Sequence, residues 1–317
     1  MIEALFGWPP PVLDPAGPYA TPVTIVAWAL FAMGTVVTLI VIVALWIALR
    51  GPPKIRAKLG GETTIWLAGV AFPAVVLTGL LIWGLALTSR LTPNISGAEQ
   101  RIRVTGEMWW FRVEYLDEQG RVALADANEL HLPVGRAVVL ELRSADVIHS
   151  FWVPHLSGKK DMIPGRTNLL RIEASEPGQF GGVCAEYCGR AHALMGLVVV
   201  AHAQPDWDRW LAARRAPVPA MAAAGEAPRG RALFMASGCA GCHNVTGTEA
   251  NGLAGPDLTH VGARRTLGAG ILPNNRGTLI GWIGNSQSIK PGNRMPNYDR
   301  LPVRDTAAIA TWLGTLK

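Results

Sequence analysis

The residues best suited to metal chemistry lie in one short segment, residues 184–195, which reads C-A-E-Y-C-G-R-A-H-A-L-M. Cys188, His192 and Met195 have the spacing of a mononuclear copper loop in a cupredoxin. A thiolate, an imidazole and a weak thioether are also ligands that suit copper as it cycles between two oxidation states. Such a site takes another histidine from an earlier strand, and His149 in A-D-V-I-H-S-F-W-V-P is the candidate. The pattern predicts a copper site shared by a loop and a strand.

A second cysteine, Cys184, distinguishes this loop from a mononuclear site. Two thiolates can bridge two copper ions, each of which takes one histidine, while Met195 and the backbone carbonyl of Glu186 serve as weak ligands. A bridged pair shares one electron over both metals, which favours fast electron transfer. A disulfide is one alternative. Zinc is the other, although zinc prefers four strong nitrogen or sulfur ligands and would leave Met195 unused.

The second candidate site is the C-x-x-C-H motif at residues 239–243, which is typical of covalent attachment of a c-type haem. The thiols of Cys239 and Cys242 add to the haem vinyl groups, and His243 becomes the proximal iron ligand. The motif opens a segment of fewer than 100 residues that has few other residues from which to build a core. We therefore expect haem c to supply the centre of this domain.

The sixth iron ligand must come from downstream of the motif. Met295, in G-N-R-M-P-N-Y, is the expected ligand, since His/Met ligation is found in cytochromes c. Met235 lies too close to the motif, and His260 is the alternative. The backbone carbonyl of Pro256 is expected to hold the ring of His243.

Two uncharged apolar segments, residues 23–49 and 63–89, precede both motifs. A helix of about 20 residues crosses the hydrocarbon core of a bilayer, so both segments predict transmembrane helices, with a kink at Pro73 in the second. Four basic residues occupy the loop between the two segments: Arg50, Lys54, Arg56 and Lys58. The positive-inside rule places this loop in the cytoplasm and both termini on the outer side, which is the periplasm in a bacterium.

The elements that must position the candidate sites follow the apolar hairpin. Short runs at residues 100–115, 137–142, 167–172 and 196–203 predict a cupredoxin-like β-sandwich over residues 98–205. Residues 205–215 predict a short amphipathic helix, and residues 216–228 predict a linker. Residues 229–317 are expected to form an all-α class I cytochrome c domain. The fold predicted for the whole chain is thus a membrane-anchored multi-domain protein with a segment and hairpin at residues 1–97.

Composition and charge agree with this organisation. Half of the residues are hydrophobic and 16% are charged, which argues against disorder and against an ordinary, fully soluble enzyme. The net charge of +6 is uneven, with −2 over residues 98–205 and +5 over residues 226–317. Opposite signs favour transient docking of the C-terminal domain on the β domain.

Together these motifs resemble subunit II of haem–copper cytochrome c oxidase, and the additional C-terminal domain is similar to the fused subunit II of caa-type oxidases. The resemblance rests on W-W-F at 109–111, D-V-I-H-S-F at 146–151 and C-x-E-x-C-x-x-x-H-x-x-M at 184–195. It implies that the binuclear copper centre CuA is ligated by His149, Cys184, Glu186 (carbonyl), Cys188, His192 and Met195. It also implies that the Glu186 side chain binds Mg at the interface with subunit I, that electrons enter at Trp109, and that Asp146 lies near the copper histidine.

The function implied by the resemblance is electron input to a terminal respiratory oxidase, with cytochrome-c oxidase as the enzyme. Electrons pass from haem c to CuA and then to haem in subunit I, where O2 is reduced to water and protons are pumped. The implied partners are subunit I (haem and CuB), subunit III, the bilayer, and cytochrome c or a quinol–cytochrome c reductase as donor, with no nucleic acid. The implied location is the bacterial inner membrane, as a multi-pass chain.

Two other functions remain open at this stage. One is the electron-input subunit of a CuA-containing nitric-oxide reductase. The other is a non-enzymatic copper carrier or assembly factor, which the C-x-x-C-H motif disfavours because such a protein needs no haem. Oxygen chemistry in this chain itself is not expected, since its seven histidines all lie at or after His131 and outside the apolar segments.

Overall fold

The computed structural model describes residues 10–91, 100–216 and 224–317 of the chain. These residues fall into two compact units, Thr21–Asn94 and a second unit that joins Met1–Ala20 to Ile95–Lys317. The start of the chain at residues 1–9, the boundary expected near residue 98 and part of the linker expected at 216–228 lie wholly or partly outside the described residues.

The helical unit contains both apolar segments. Helix α1 spans Thr21–Arg50, α2 spans Pro53–Leu59, and α3 (Glu62–Trp66) continues through a π-helical turn, Leu67–Ala71, into α4 (Phe72–Leu91). The two long helical runs have mean hydropathies of 2.6 and 2.3 and bury none of their most apolar stretch within the protein. By length and composition, both are able to cross a membrane.

At the place where a kink was expected, the structure has the π-helical turn Leu67–Ala71, which ends two residues before Pro73. Proline lacks an N–H, and its ring clashes with the carbonyl four residues earlier, which here belongs to Gly69 inside the turn. A π-helical turn widens the backbone at this point and lets the helix continue in apolar surroundings.

Residues 100–202 form two five-stranded sheets. One has the strand order β3-β2-β1-β5-β8 and the other β4-β10-β9-β6-β7. The strands of the first sheet are β1 Gln100–Glu107, β2 Trp110–Leu116, β3 Val122–Ala127, β5 Val138–Ser144 and β8 Asn168–Ile172. The strands of the second are β4 Glu129–Pro133, β6 His149–Trp152, β7 Lys160–Met162, β9 Gly178–Cys184 and β10 Gly196–His202.

A single apolar core fills the space between the two sheets. Ile102 and Val104 of β1 are fully buried, as are Phe111 and Val113 of β2, and the residues between them in each strand are less buried. This alternation places one side of each strand against the other sheet. The turn at residues 108–109 divides the expected run at 100–115 into two strands.

Two further segments pack against the sandwich. Helix α5, Gln204–Arg215, stacks Trp210 on His131 at a centroid distance of 4.3 Å. The segment at residues 10–20, which precedes α1, runs along the sandwich: the Ala16 N–H donates to the carbonyl of His155 at 2.7 Å, and the Ser175 N–H donates to the carbonyl of Ala16 at 2.8 Å.

The C-terminal domain is helical. Its main helices are α6 Glu226–Ala236, α7 Arg276–Ile289 and α8 Val303–Thr315, with a short two-stranded ladder of β11 Thr266–Leu267 and β12 Leu272–Pro273. Phe234 of α6 packs edge-on against Trp312 of α8 at 4.9 Å. Asn275 and Thr278 form a capping box at the start of α7.

Candidate copper and haem sites

Strand pairing brings the candidate copper ligands to one end of the sandwich. Strands β6 and β9 are antiparallel with Phe151 opposite Cys184, so His149 at the start of β6 lies beside the end of β9. The loop after β9 then returns to β10, and the N–H of Cys184 donates to the carbonyl of Met195 at 2.9 Å. This closed loop keeps residues 184–195 in a compact arc over His149.

All six candidate ligands from the sequence meet at this place. The Sγ atoms of Cys184 and Cys188 are 3.7 Å apart, and both cysteines are free thiols. His149 Nδ1 lies 3.8 Å from the Cys184 sulfur, and His192 Nδ1 lies 3.5 Å from the Cys188 sulfur. Two weaker donors flank the sulfurs: Met195 Sδ at 3.9 Å from Cys188 Sγ, and the Glu186 carbonyl at 3.3 Å from Cys184 Sγ.

The electrostatics of this cluster favour bound cations. A hydrogen bond from the Cys188 thiol lowers the pKa of Cys184 well below its usual range, against the opposing effect of burial, and His149 lowers it further. The shared proton raises the pKa of Cys188. The pair therefore carries negative charge in a largely buried place, which is costly unless a cation compensates it.

Asp146 orients the imidazole of His149. Its carboxylate accepts a hydrogen bond from His149 Nε2 at 2.8 Å and others from the N–H groups of Met108 and Val147, both at 2.8 Å. Because Nε2 is engaged in this bond, Nδ1 is the nitrogen that faces the Cys184 sulfur.

The Glu186 side chain extends away from the sulfurs. Its carboxylate lies 3.6 Å from the Lys159 ammonium and is about half exposed. The backbone of this residue thus faces the thiols while its carboxylate stays accessible from outside the domain.

Trp109 lies directly beside the copper loop, which is residues 184–195. Its indole Nε1 donates to the carbonyl of Cys188 at 2.9 Å. The indole lies between Gly189 and Gly292, where an added Cβ would come within 3.2 Å and 3.5 Å of the ring. Gly189 belongs to the copper loop and Gly292 to the C-terminal domain, so the indole ring contacts both domains at this point.

The haem-attachment motif begins on a 3-10 turn, Cys239–Gly241, after α6. His243 Nδ1 donates to the carbonyl of Pro256 at 2.7 Å, as the sequence predicted. Gly255 packs against the same ring, where an added Cβ would come within 2.7 Å of Cε1. With Nδ1 engaged and the ring clamped, Nε2 of His243 is the nitrogen left for iron.

Met295 packs against the apolar cluster that contains Cys239. The loop that carries it is fixed to α7, because the Met295 carbonyl accepts hydrogen bonds from Ser286 Oγ at 3.1 Å and from Gln287 Nε2 at 2.9 Å. His260, the alternative ligand, instead donates from Nε2 to the carbonyl of Arg214 at 3.1 Å.

The C-terminal domain and the sandwich share a polar interface. Arg264 and Asp126 form a buried ion pair with a distance of 2.6 Å. The Arg265 N–H donates to the Glu129 carboxylate at 2.8 Å. Burial alone would raise the pKa of Asp126, but the guanidinium groups of Arg264 and Arg214 hold it below its ordinary value. The acidic and basic domains therefore meet through paired charges.

Sequence reasoning missed the most deeply buried cation of this interface, Lys290. Its Nζ donates to the carbonyls of Trp109 at 2.6 Å, Leu194 at 2.8 Å and Gly268 at 3.0 Å. Burial lowers its pKa to about 7. One sequence signal points to it, since Lys290 is the only lysine between Lys160 and Lys317 and lies five residues before Met295.

The residues present fit both kinds of redox group. Two free thiols and two imidazoles, with a thioether and a carbonyl as weak donors, suit soft copper. A thiol pair with a clamped histidine in an otherwise small apolar core suits a covalent haem. These features, with two apolar helices, define a membrane-anchored electron-transfer protein.

Comparison with known proteins identifies the family. "Cytochrome C oxidase subunit II, periplasmic domain" matches residues 101–202, and "Cytochrome c" matches residues 227–317. The chain is 34% identical to cytochrome c oxidase subunit 2 of Alkalihalophilus pseudofirmus over 96% of this chain and 90% of that protein. It is 28% identical to cytochrome c oxidase subunit 2 of Bacillus sp. (strain PS3), over 83% and 77%. The chain therefore belongs to the cytochrome c oxidase subunit 2 family.

Among solved structures, the periplasmic domain of subunit II of cytochrome oxidase of Bradyrhizobium japonicum is 27% identical, covering 38% of this chain and 97% of that chain with a TM-score of 0.35. Family membership makes this chain a subunit of cytochrome c oxidase with an electron-input role, associated with subunit I and the membrane. The matched domains imply haem c and CuA as its cofactors, and they place the soluble domains on the outer side of the membrane.

Proposed function

We propose that this chain accepts electrons at its cytochrome c domain and delivers them through the cupredoxin-like domain to haem in subunit I, where O2 is reduced to water and protons are pumped. The observation that carries the proposal is the meeting of six suitable donors at one end of the sandwich, with the haem-attachment domain docked beside them. The donor is cytochrome c or a quinol–cytochrome c reductase, and subunit III completes the assembly.

In this proposal, copper is held by His149, Cys184, the Glu186 carbonyl, Cys188, His192 and Met195. When bound, copper and haem c supply reversible one-electron chemistry at potentials set by these ligands. The chain's own part is to keep the donors in place: Asp146 orients His149, and the backbone bond between Cys184 and Met195 closes the loop. A rigid donor set limits movement between oxidation states.

Haem c would be held by Cys239, Cys242, His243 and Met295. Pro256 fixes the His243 ring, and Ser286 and Gln287 fix the backbone of the loop that carries Met295, so both would be positioned for haem by hydrogen bonds that do not involve iron. His260 is less suited to the sixth position because its ring is engaged with α5.

The remaining assignments concern the path and the surroundings. Trp109 is the residue through which electrons enter the cupredoxin-like domain. It is hydrogen-bonded to the copper loop and faces the cytochrome c domain. The accessible carboxylate of Glu186 binds Mg at the interface with subunit I. Both apolar helices span the bacterial inner membrane, which makes the chain multi-pass, with domains at residues 1–97, 98–205 and 229–317 and a helix and linker at 206–228.

Optical and EPR spectra of the purified chain, as isolated and after dithionite, test the proposal. We expect a near-infrared copper band and a mixed-valence copper signal beside the spectrum of low-spin haem c. Spectra of ordinary mononuclear copper, or of no copper, would contradict a binuclear site in the copper loop. Loss of the band in Cys184→Ser, with the haem spectrum retained, separates the two sites within one molecule.

A further inference from the structure

The interface between the two soluble domains includes the indole of Trp109, and Lys290 is buried beside it. This residue caps the C-terminal end of α7, five residues before Met295, and is 3% exposed. A buried ammonium is costly unless its donors are satisfied. Its position at a domain boundary, with no carboxylate among its hydrogen-bond partners, therefore needs a physical reason.

Three carbonyls provide that reason. The ammonium has three N–H donors, and each finds one acceptor: Trp109 in the turn between β1 and β2, Leu194 in the copper loop, and Gly268 in the lysine's own domain. Two of the three carbonyls belong to the cupredoxin-like domain, and Leu194 immediately precedes the candidate ligand Met195. The Lys290 side chain thus bonds to the turn that carries Trp109, to the copper loop and to the cytochrome c domain.

The turn that follows Lys290 is shaped to fit against Trp109. Gly292 has φ +86°, and an added Cβ would approach the indole ring to 3.5 Å and the Arg190 side chain to 3.3 Å. A glycine is therefore favoured here both for its backbone conformation and for close approach.

Hydrogen bonds continue from this turn to the candidate haem ligand. The Asn293 side chain donates to the carbonyl of Lys290 at 2.8 Å and accepts from the N–H of Met295 at 2.8 Å. Met295 and Met195 are thereby connected through Asn293, Lys290 and Leu194. Among the described residues, no other side chain at the interface bonds both to the copper loop and to the turn that carries Trp109.

We propose that Lys290 is a positioning residue that holds the loop of Met295 against Trp109 and the copper loop, so that the cytochrome c domain transfers electrons from one fixed, docked orientation. The inference rests on the proposed function, because it assumes that electrons pass between these two domains. It goes further in assigning the docking to a named side chain and in replacing a transient encounter with a held one.

Other contacts near Trp109 are weaker anchors. Arg294 and Asp146 are 3.4 Å apart, and the arginine side chain is 63% exposed, so solvent screens this pair. The Arg264–Asp126 pair is buried, but neither residue hydrogen-bonds to Trp109 or to the copper loop. Lys290 is therefore the residue whose removal should change the orientation at Trp109 most directly.

The test uses the assembled oxidase and the variant Lys290→Met, which keeps an unbranched apolar side chain, one heavy atom shorter, but has no donor. Haem c is photoreduced, and loss of the near-infrared copper band reports the transfer. The variant loses two charge-assisted hydrogen bonds to the cupredoxin-like domain, and the loss of even one corresponds to about a tenfold shift in a docking equilibrium. We expect transfer at least about tenfold slower in the variant, with a rate that falls as solvent viscosity rises.

Arg300→Met is the matched control. It also removes one positive charge from the cytochrome c domain, at an exposed position, and we expect the parent rate. The copper band and the haem spectrum of Lys290→Met at equilibrium should equal those of the parent, which separates a loss of orientation from a loss of either cofactor.

Two results would overturn the inference. One is transfer in Lys290→Met at the parent rate and without viscosity dependence. The other needs no variant: a parent rate that already falls in proportion to viscosity would mean that the domain is not held. Failure of the proposed function is a different result, because the parent would then lack the copper band, the haem spectrum or any transfer between them.

Discussion

At the scale of single residues, the candidate copper site depends on a carboxylate that is not itself a ligand. Asp146 accepts hydrogen bonds from His149 Nε2 and from two backbone N–H groups, so the imidazole is fixed before any metal arrives. Sequence reasoning placed this carboxylate near the histidine by resemblance. The structure supplies the physical role, which is to select the nitrogen that faces the cysteine.

Replacing this carboxylate should weaken copper binding without unfolding the sandwich. In Asp146→Ala we expect copper affinity to fall by about 10- to 100-fold, because a ligand histidine loses its orienting partner. Competition with a copper chelator, followed by the near-infrared band, measures the change. Glu118→Ala, at an exposed position, should leave the affinity unchanged. Equal affinity in the two variants would show that His149 needs no orienting group.

The second prediction at this scale concerns the haem. Met295→Leu keeps a similar volume but removes the sulfur, so we expect loss of the low-spin His/Met spectrum and a lower midpoint potential. Met235→Leu is the matched control, since Met235 packs against the same apolar cluster but lies too near the motif to serve as a ligand. An unchanged spectrum in Met295→Leu would transfer the ligand role to another side chain.

At the scale of elements, two features decide how well the sites are held. In the sandwich, β1 and β2 alternate between buried and less buried residues, whereas β4 and β10 are buried along almost their whole length. The cytochrome c domain depends on a close helix crossing: an added Cβ at Gly230 of α6 would come within 2.0 Å of the Ala308 carbonyl in α8. No periodic pattern predicts such a contact, because it depends on two helices distant in sequence.

Gly230→Ala should therefore separate these helices. We expect a loss of about 1–3 kcal/mol in the free energy of unfolding of the cytochrome c domain, as for other overpacked positions. Gly281→Ala is the contrast, because Gly281 lies in α7 with nothing within 4 Å of an added Cβ. That substitution should stabilise by up to about 1 kcal/mol through helix propensity. Thermal unfolding followed at the haem absorbance distinguishes them, and similar midpoints would contradict the crossing.

At the scale of the whole molecule, the interface between the domains contains a buried ion pair. Removing one partner leaves an uncompensated charge, so Asp126→Asn should weaken docking by about 3–5 kcal/mol. The exposed pair Arg231–Glu249 provides the control, and Glu249→Gln should leave docking unchanged because solvent screens this pair. Calorimetry of the full chain would show separate unfolding of the two domains in Asp126→Asn alone; one shared transition would argue against this role.

The same pair predicts a pH dependence. Because the pKa of Asp126 is lowered in the docked state, the docked form binds fewer protons than the undocked form. The contribution is complete above the ordinary carboxyl pKa of about 3.9 and is lost as pH falls through the lower docked value. The difference between parent and Asp126→Asn should thus be constant near neutrality and shrink below about pH 4.

The sequence by itself determined the chemistry and the order of the domains. Cysteine spacing, the C-x-x-C-H motif, two long apolar runs and period-two strands are local patterns, and each reports one element or one ligand loop. For that reason the sandwich and the helical hairpin could be predicted without coordinates, and family membership agrees with them, while the ligand candidates are predictions from the same local patterns.

Only the tertiary structure decided how the two redox domains meet. Trp109 between two glycines, Arg264 on Asp126 and Lys290 on three carbonyls join residues that lie up to about 180 positions apart. The opposite net charges of the two domains predicted that they attract each other. Net charge alone determines neither the orientation of the docked domain nor how long it stays docked. Those depend on which carbonyls are left without partners once the loops have folded, and that is a property of the packed molecule.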